Sequence, residues 1–391
     1  MPKKLVRGIK LSVRFFLQRL AWPALYWLCS RRAIDTKLVV FASEFSSAPP
    51  DNFVPLLLRL EELGYDCRFF GFRAVRGGFF RKKLAGYRDN VRFFRAYGRC
   101  RTLFLDDHFF PAYGAKPRQG TQVVQLWHGC GAFKKFGYST AGTDWGSSAR
   151  VFRFLPSHHT YTHVCVSAPA VVPCYAEAFH CAPEIIHPWG APRTDAYFRP
   201  GAAAEARAAV LAVFPEIGDR KILLYAPTFR GDNILEATDG GKLDMPSLAE
   251  VLGDVCALVY KAHPRAKRPE AGNGAQGFVF DGGTWSIETL LLAADLTITD
   301  YSSLIFEYAL LGRPMLFYAY DLEEYDRRRS FYYDYASFVP GEIVRDTGEL
   351  TAGIQRALAR FDGAKTDAFR GKFMSACDGC CTKRILQELH F

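Results

Sequence analysis

A chain of 391 residues is too long for one compact core and suits two domains. With 23% charged and 49% hydrophobic residues it is globular, which excludes disordered and fibrous classes. The formal net charge of +10 is uneven: residues 1–32 hold eight Lys or Arg and no acid, residues 68–101 hold eleven against Asp89 alone, and the rest of the chain is acidic. Such asymmetry points to a polyanionic partner surface. No helix-turn-helix, zinc-finger or RNA-binding signature accompanies the charge, so anionic lipid or a polyphosphate polymer fits better than nucleic acid. Eleven scattered cysteines with no secretory signal read as reduced thiols of a cytosolic protein. The tightest group, Cys377, Cys380 and Cys381, lacks a second pair or His partner and is a weak zinc signal.

The first helical run is KKLVRGIKLSVRFFLQRLAWPALYWL, from Lys3. Leu5, Ile9, Val13, Phe16 and Leu20 fall on one face, and Lys3, Arg7, Lys10 and Arg14 on another. Basic residues and Gln18 interrupt every window long enough to span a bilayer. Trp22, Tyr26 and Trp27 supply interfacial aromatics. Residues 1–32 therefore read as a basic amphipathic helix on the inner face of the cell membrane, making the protein peripheral. The competing reading packs the same helix on its own domain.

From Thr36 strands and helices alternate. Strands are expected at Lys37–Ala42, Tyr65–Phe70, Thr102–Leu105, Gln122–Trp127, Thr162–Ser167 and Glu184–Pro188, with helices at 53–64, 79–97 and 169–180. A Pro- and Gly-containing linker near 190–200 follows, and the pattern restarts. An Ala-rich helix covers 201–213, strands cover Lys221–Tyr225, Ala257–Lys261 and Gly277–Phe280, and a helix covers 285–293. This alternation predicts α/β architecture with two doubly wound, Rossmann-like parallel sheets, residues 36–195 and 200–391.

The stretch DLTITDYSSLIFEYALLGRPMLFY (Asp295–Tyr318) reads strand, turn, helix, turn, strand. Ser302 or Ser303 can cap a helix running to about Leu311, stopped by Gly312 and Pro314. Such a helix start offers backbone N–H groups to a phosphate, although an ordinary capped βαβ turn has the same sequence. His128, at the end of an apolar strand and followed by Gly129 and Gly131, can approach a hydroxyl and take its proton. Arg230, in PTFR, follows another apolar strand and can grip phosphate bidentately. His263, extended by Pro264, projects from a strand end toward the same crevice. Glu307, one turn into the helix, is placed to bind ribose hydroxyls or to make a plain helix salt bridge. Asp106, Asp107 and His108 read as solvated loop surface. No D-x-D or His/carboxylate cluster suggests a metal, and no cofactor is expected.

Six stretches together, QLWHGCGAFKKFG (125–137), GAPRTD (190–195), YAPTFR (225–230), VYKAHPR (259–265), TDYSS (299–303) and DLEEYDRRRSFYYD (321–334), resemble the CDP-glycerol glycerophosphotransferase family of teichoic-acid primases and polymerases. The resemblance covers roughly residues 120–385. It implies a GT-B fold with an N-terminal acceptor domain and a C-terminal CDP-donor domain facing a cleft. It further implies transfer of glycerol phosphate from CDP-glycerol to a lipid-linked or polymeric acceptor, with release of CMP. By the same resemblance His128 is the base, with Gly129 and Lys134 or Lys135 on the acceptor's side. His263 serves the leaving pyrophosphate oxygen, and Arg230, Ser302, Ser303, Glu307 and Arg329 hold the donor. Ser330 stands where the family usually has Gly. The alternatives are a CDP-ribitol phosphotransferase, a GT-B nucleotide-sugar glycosyltransferase and a non-catalytic wall-polymer binding protein; the paired histidines favour phosphotransfer.

Overall fold

The computed structural model describes residues 3–71, 79–143, 146–230, 242–262 and 275–391. The chain divides into two units: 1–129 with 135–195 and 376–391, and 130–134 with 196–375.

The first unit holds β1 (Asp35–Ala42), β2 (Asp66–Phe70), β3 (Cys100–Leu105), β4 (Gln122–Gln125), β5 (His163–Cys165) and β6 (Ile186–His187). They form one sheet in the order β2-β1-β3-β4-β5-β6, and every pairing is parallel. Leu38 to Ala42 are all buried, as expected of a central parallel strand covered on both faces. The winding direction reverses between β1 and β3, which makes the carboxyl ends of those strands a topological switch point. β4 stops at Gln125, two residues before the expected end, because Trp127 adopts a left-handed backbone (φ 58°) that no strand accommodates.

The C-terminal helix Cys381–Glu388 belongs to this unit and not, as the sequence suggested, to the C-terminal domain. Ile385, Leu386 and Leu389 join Val39, Phe41, Phe104 and Leu126 in one buried cluster. The carboxylate of Asp195, last residue of GAPRTD, accepts the Cys381 and Thr382 amides at 2.8 and 2.9 Å, satisfying two unpaired N–H groups at that helix start. That motif is thus a joint in the fold.

The N-terminal run is helical over Lys3–Phe16 and Trp22–Cys29, joined by a π-helical turn, Leu17–Ala21. Gln18, Trp22 and Tyr26, one helical face, are buried on the first unit. Trp22 packs on Phe94 and Phe110, and the Tyr26 hydroxyl accepts the Arg118 amide at 2.9 Å. Val13, Phe16, Leu20, Trp27 and Leu28 remain 48–59% exposed. The helices therefore pack on their own unit through one side, as the competing reading has it, and leave the other side exposed. No helix among the described residues is long and apolar enough to cross a membrane.

The second unit repeats the architecture with β7 (Lys221–Tyr225), β8 (Cys256–Tyr260), β9 (Val279–Asp281), β10 (Leu296–Thr299), β11 (Met315–Tyr318) and β12 (Glu342–Val344). The order is β12-β11-β10-β7-β8-β9, all parallel, with its switch point between β7 and β10. The helix after TDYSS spans only Leu304–Ala309, and turn hydrogen bonds from Leu310, Leu311 and Gly312 close it.

Candidate functional site

In the first unit the chemistry gathers beyond the carboxyl ends of β3 and β4. These strands pair Leu105 with Gln125, so the residues that follow each strand emerge side by side. His128 Nδ1 lies 3.2 Å from Asp107 Oδ2, the imidazole side chain being 55% exposed. A carboxylate can only accept, so at this contact Nδ1–H is the donor, and Nε2 is the ring nitrogen left for other chemistry. Burial disfavours the Asp107 charge, but the bond and charge of His128 and the amide of His108 outweigh it and hold the carboxyl below its ordinary range. Asp106, next in sequence, is pushed the other way, to about 6, by burial and by the neighbouring Asp107 charge. Its partner is Ser43 Oγ at 3.4 Å, just past β1.

These acids are not solvated surface; Asp106 is buried and Asp107 faces the imidazole. Two acids directly after an apolar strand, beside a strand ending near a histidine, were the available signal.

The backbone under His128 is strained. A tryptophan at φ 58° is costly, by about 1–3 kcal/mol, and persists only where its surroundings dictate it. Asn52 Nδ2 donates to the Trp127 carbonyl at 2.7 Å, and the Trp127 amide donates to Gln125 Oε1 at 2.9 Å. Arg193 Nη1 holds the His128 carbonyl at 2.6 Å, and the Tyr175 hydroxyl holds the Gly129 carbonyl at 3.1 Å. Each group around the histidine is thereby fixed by a side chain from another element.

In the second unit the cluster sits at the β7/β10 switch point. Asp300, directly after β10, accepts the Thr228 and Tyr301 amides on Oδ1 at 2.9 and 2.6 Å, and Arg230 Nη1 on Oδ2 at 2.8 Å. Asp321 takes Arg230 Nε and Nη2 at 2.6 and 2.9 Å, together with the Tyr301 hydroxyl at 2.9 Å. Burial opposes the Arg230 charge, but Asp321 and Asp300 hold it firmly protonated. Tyr301 stacks on Tyr325 with ring centroids 3.9 Å apart. Three of the sequence stretches, PTFR, TDYSS and the one beginning at Asp321, therefore meet through an arginine between two carboxylates. By sequence the serines of TDYSS are the candidates; the residue of that stretch that ties the three together is Asp300.

The other expected residues are placed as follows. Ser302 Oγ accepts the Leu304 amide at 3.4 Å, and Ser303 has helical φ and ψ with no side-chain cap bond. Glu307 is buried at 5% exposure. Arg329 ends the helix Leu322–Arg329, its guanidinium 5.8 Å from the Phe229 ring centre. Ser330 has φ 52°, a backbone that favours glycine and accounts for the residue the resemblance leads one to expect there. His263 lies outside the described residues. Among those described, no group of three His, Cys, Asp or Glu could hold a metal ion.

Lys134 differs from its expected place. Residues 130–134 belong to the second unit. Phe133 stacks on Phe331 and Phe338 at 5.0 Å, its carbonyl accepts the Tyr332 amide at 3.0 Å, and Lys134 pairs antiparallel with Phe331. Gly131, at φ 63°, lies so close to Phe306 that a Cβ would overlap that ring. Gly131→Ala is accordingly expected to cost about 1–3 kcal/mol from overpacking alone, with added backbone strain. An unchanged urea midpoint in that variant would remove the argument.

The family model for CDP-glycerol:poly(glycerophosphate) glycerophosphotransferases matches residues 24–390. A teichoic acid ribitol-phosphate primase of Bacillus spizizenii is 40% identical over 73% of this chain and 74% of its own length. A teichoic acid poly(ribitol-phosphate) polymerase of the same species is 34% identical over 92% of this chain, which spans only 57% of that longer protein. The solved structure of the wall teichoic acid polymerase TagF superposes with a TM-score of 0.77, covering 99% of this chain and 96% of that one at 22% identity, and so shares the fold. With two parallel six-stranded sheets and a match across nearly its whole length, the chain belongs to the CDP-glycerol:poly(glycerophosphate) glycerophosphotransferase family.

Proposed function

We propose that this protein transfers a polyol phosphate from a CDP-activated polyol to a hydroxyl of a lipid-linked or polymeric acceptor, releasing CMP. The observation that carries the reading is the His128–Asp107 pair at the carboxyl ends of β3 and β4, in a chain matched by the family over residues 24–390. The acceptor oxygen attacks the phosphorus that bears the polyol, and the bridging P–O bond to CMP breaks. CMP leaves with that oxygen and its electron pair, while the hydroxyl proton goes to His128 Nε2. Asp107 holds the imidazole in the accepting tautomer and balances the imidazolium that forms. Positioning and charge supply the rest, as phosphoryl transfer requires. His263 is assigned to the leaving oxygen, and Ser302, Ser303, Glu307 and Arg329 to the donor. Arg230 has four of its five N–H groups engaged by protein, so its larger part is to hold Asp300, Asp321 and Tyr301 in place.

In this reading the two doubly wound units form a GT-B enzyme, with acceptor chemistry in the first and donor binding in the second. Glycerol phosphate is the transferred group that the resemblance implies. Ribitol phosphate is the second reading, favoured by the 40% identity to a ribitol-phosphate primase. Incubation with CDP-glycerol and with CDP-ribitol, each followed by mass spectrometry of the product, tests both. A product extended by neither polyol phosphate sinks the proposal.

The exposed stripe Val13, Phe16, Leu20, Trp27 and Leu28 is assigned to the cytoplasmic face of the cell membrane, with Arg31 stacked on Trp27 at 3.9 Å among the basic residues. Deleting residues 1–32 would also uncover the packed face, so the sharper test replaces Phe16, Leu20 and Trp27 with Ser. Co-sedimentation with anionic vesicles should fall, and high salt should weaken wild-type binding. Unchanged binding of the triple variant would refute the assignment.

A further inference from the structure

The five residues 130–134 follow close on His128 in sequence but fold into the second unit. Their last side chain brings an ammonium into the cluster described above. Lys134 Nζ lies 3.4 Å from the Tyr325 hydroxyl and 5.9 Å from the centre of that ring. Tyr325 is stacked on Tyr301, whose hydroxyl binds Asp321. The carboxylates nearby have other duties. Asp300 is occupied on Oδ1 by two backbone amides and on Oδ2 by Arg230. Asp321 is occupied by Arg230 and Tyr301. Among the described residues Lys134 makes no salt bridge; burial disfavours its charge, the more distant Asp300 favours it, and Arg329 and Arg230 oppose it. A half-buried ammonium whose hydrogen bond is to a phenol, and whose nearby carboxylate is already engaged by Arg230, is stabilised by an arriving anion.

We propose that Lys134, with Tyr325 and Arg329 beside it, is a diphosphate-binding subsite for the nucleotide donor. It thereby leaves the acceptor side, where the sequence placed it together with Lys135. The inference rests on the donor reading above and deepens it by naming the phosphate ligand. Position supports it, because the cluster stands at the β7/β10 switch point, where doubly wound sheets bind nucleotides. So does anchoring: Phe133, its carbonyl and the Lys134–Phe331 bridge fix the lysine to this unit.

Burial, with the charges of Arg329 and Arg230 and against that of Asp300, lowers the Lys134 ammonium to about 8. Below that pH it is charged and grips a diphosphate; above it the grip is lost. Wild-type affinity for CDP, measured by calorimetry, should therefore fall between about pH 7 and pH 9.5. Lys134→Met should weaken CDP binding at pH 7 by about tenfold or more, the worth of one charge-assisted contact, with an unchanged melting temperature. Lys135→Met should bind CDP as the wild type does. Lys134→Arg, which stays charged, should keep the affinity and abolish its fall above pH 8. Full-strength CDP binding by Lys134→Met, with a raised acceptor KM, would return the residue to the acceptor and overturn the proposal. A wild type that binds no CDP at all would overturn the donor reading beneath it.

Discussion

Replacing His128 by Ala should cut turnover by roughly a hundredfold or more, the usual worth of a positioned general base, while CDP binding stays intact. The Arg230 hydrogen bonds described above are made within the second unit, so calorimetry on His128→Ala should give the wild-type affinity. Asp107→Asn sharpens the test. An Asn amide turned toward Nδ1 donates where the carboxylate accepted, which places the proton on Nε2 and removes the lone pair the reaction needs. That substitution should lower turnover about tenfold at least, without a change in CDP affinity. Asp107, held below the usual carboxylate range, supplies its ion-pair stabilisation above that range and loses it as pH drops through the depressed value. Asp107→Glu, which keeps the charge, should recover part of the rate. Near-normal transferase activity in a folded His128→Ala would require another base.

The second large effect is expected at Arg230, and it is first an effect on the fold. The guanidinium lies between Asp300 and Asp321, its side chain 16% exposed and theirs 3% and 20%. Removing it leaves two acids in a poorly solvated site without their counter-charge. Breaking a buried pair in this way costs about 3–5 kcal/mol. Arg230→Ala should therefore lower the urea midpoint, and donor binding should vanish with the geometry of Tyr301 and Tyr325. Arg230→Lys separates charge from shape. It keeps a cation near Asp300 but cannot reproduce the two-pronged contact with Asp321, so stability should lie between the two while CDP affinity stays low. A melting temperature unmoved in Arg230→Ala would show that the acids do not need the arginine, and wild-type CDP affinity in that variant would remove it from the donor site.

The resemblance read from six stretches belonged to the sequence, and so did the alternation of apolar strands and helices that makes two doubly wound sheets. Such strands announce themselves because a parallel strand buried on both faces is apolar along its length, as in LVVFA of β1 and KILLY of β7. His128 and Arg230 were visible for a related reason: each is a polar side chain close behind such a strand, where chain order and the crevice of a doubly wound sheet coincide. Partners that come from other strands were not visible. By sequence Asp107 reads as loop surface, because only the pairing of β3 with β4 brings it to the imidazole 21 positions later. Asp300 and Asp321 were hidden for the same reason: sheet order, not sequence distance, sets them around Arg230. The terminal assignments were also decided in three dimensions. The buried face of Ile385, Leu386 and Leu389 attaches residues 376–391 to the first unit, and Phe133 draws Lys134 into the second. Local pattern specifies which residues form elements and which ends carry chemistry. Which charged groups stand next to one another depends on the register of strands far apart in the chain, and a one-residue change of register would separate Asp107 from His128.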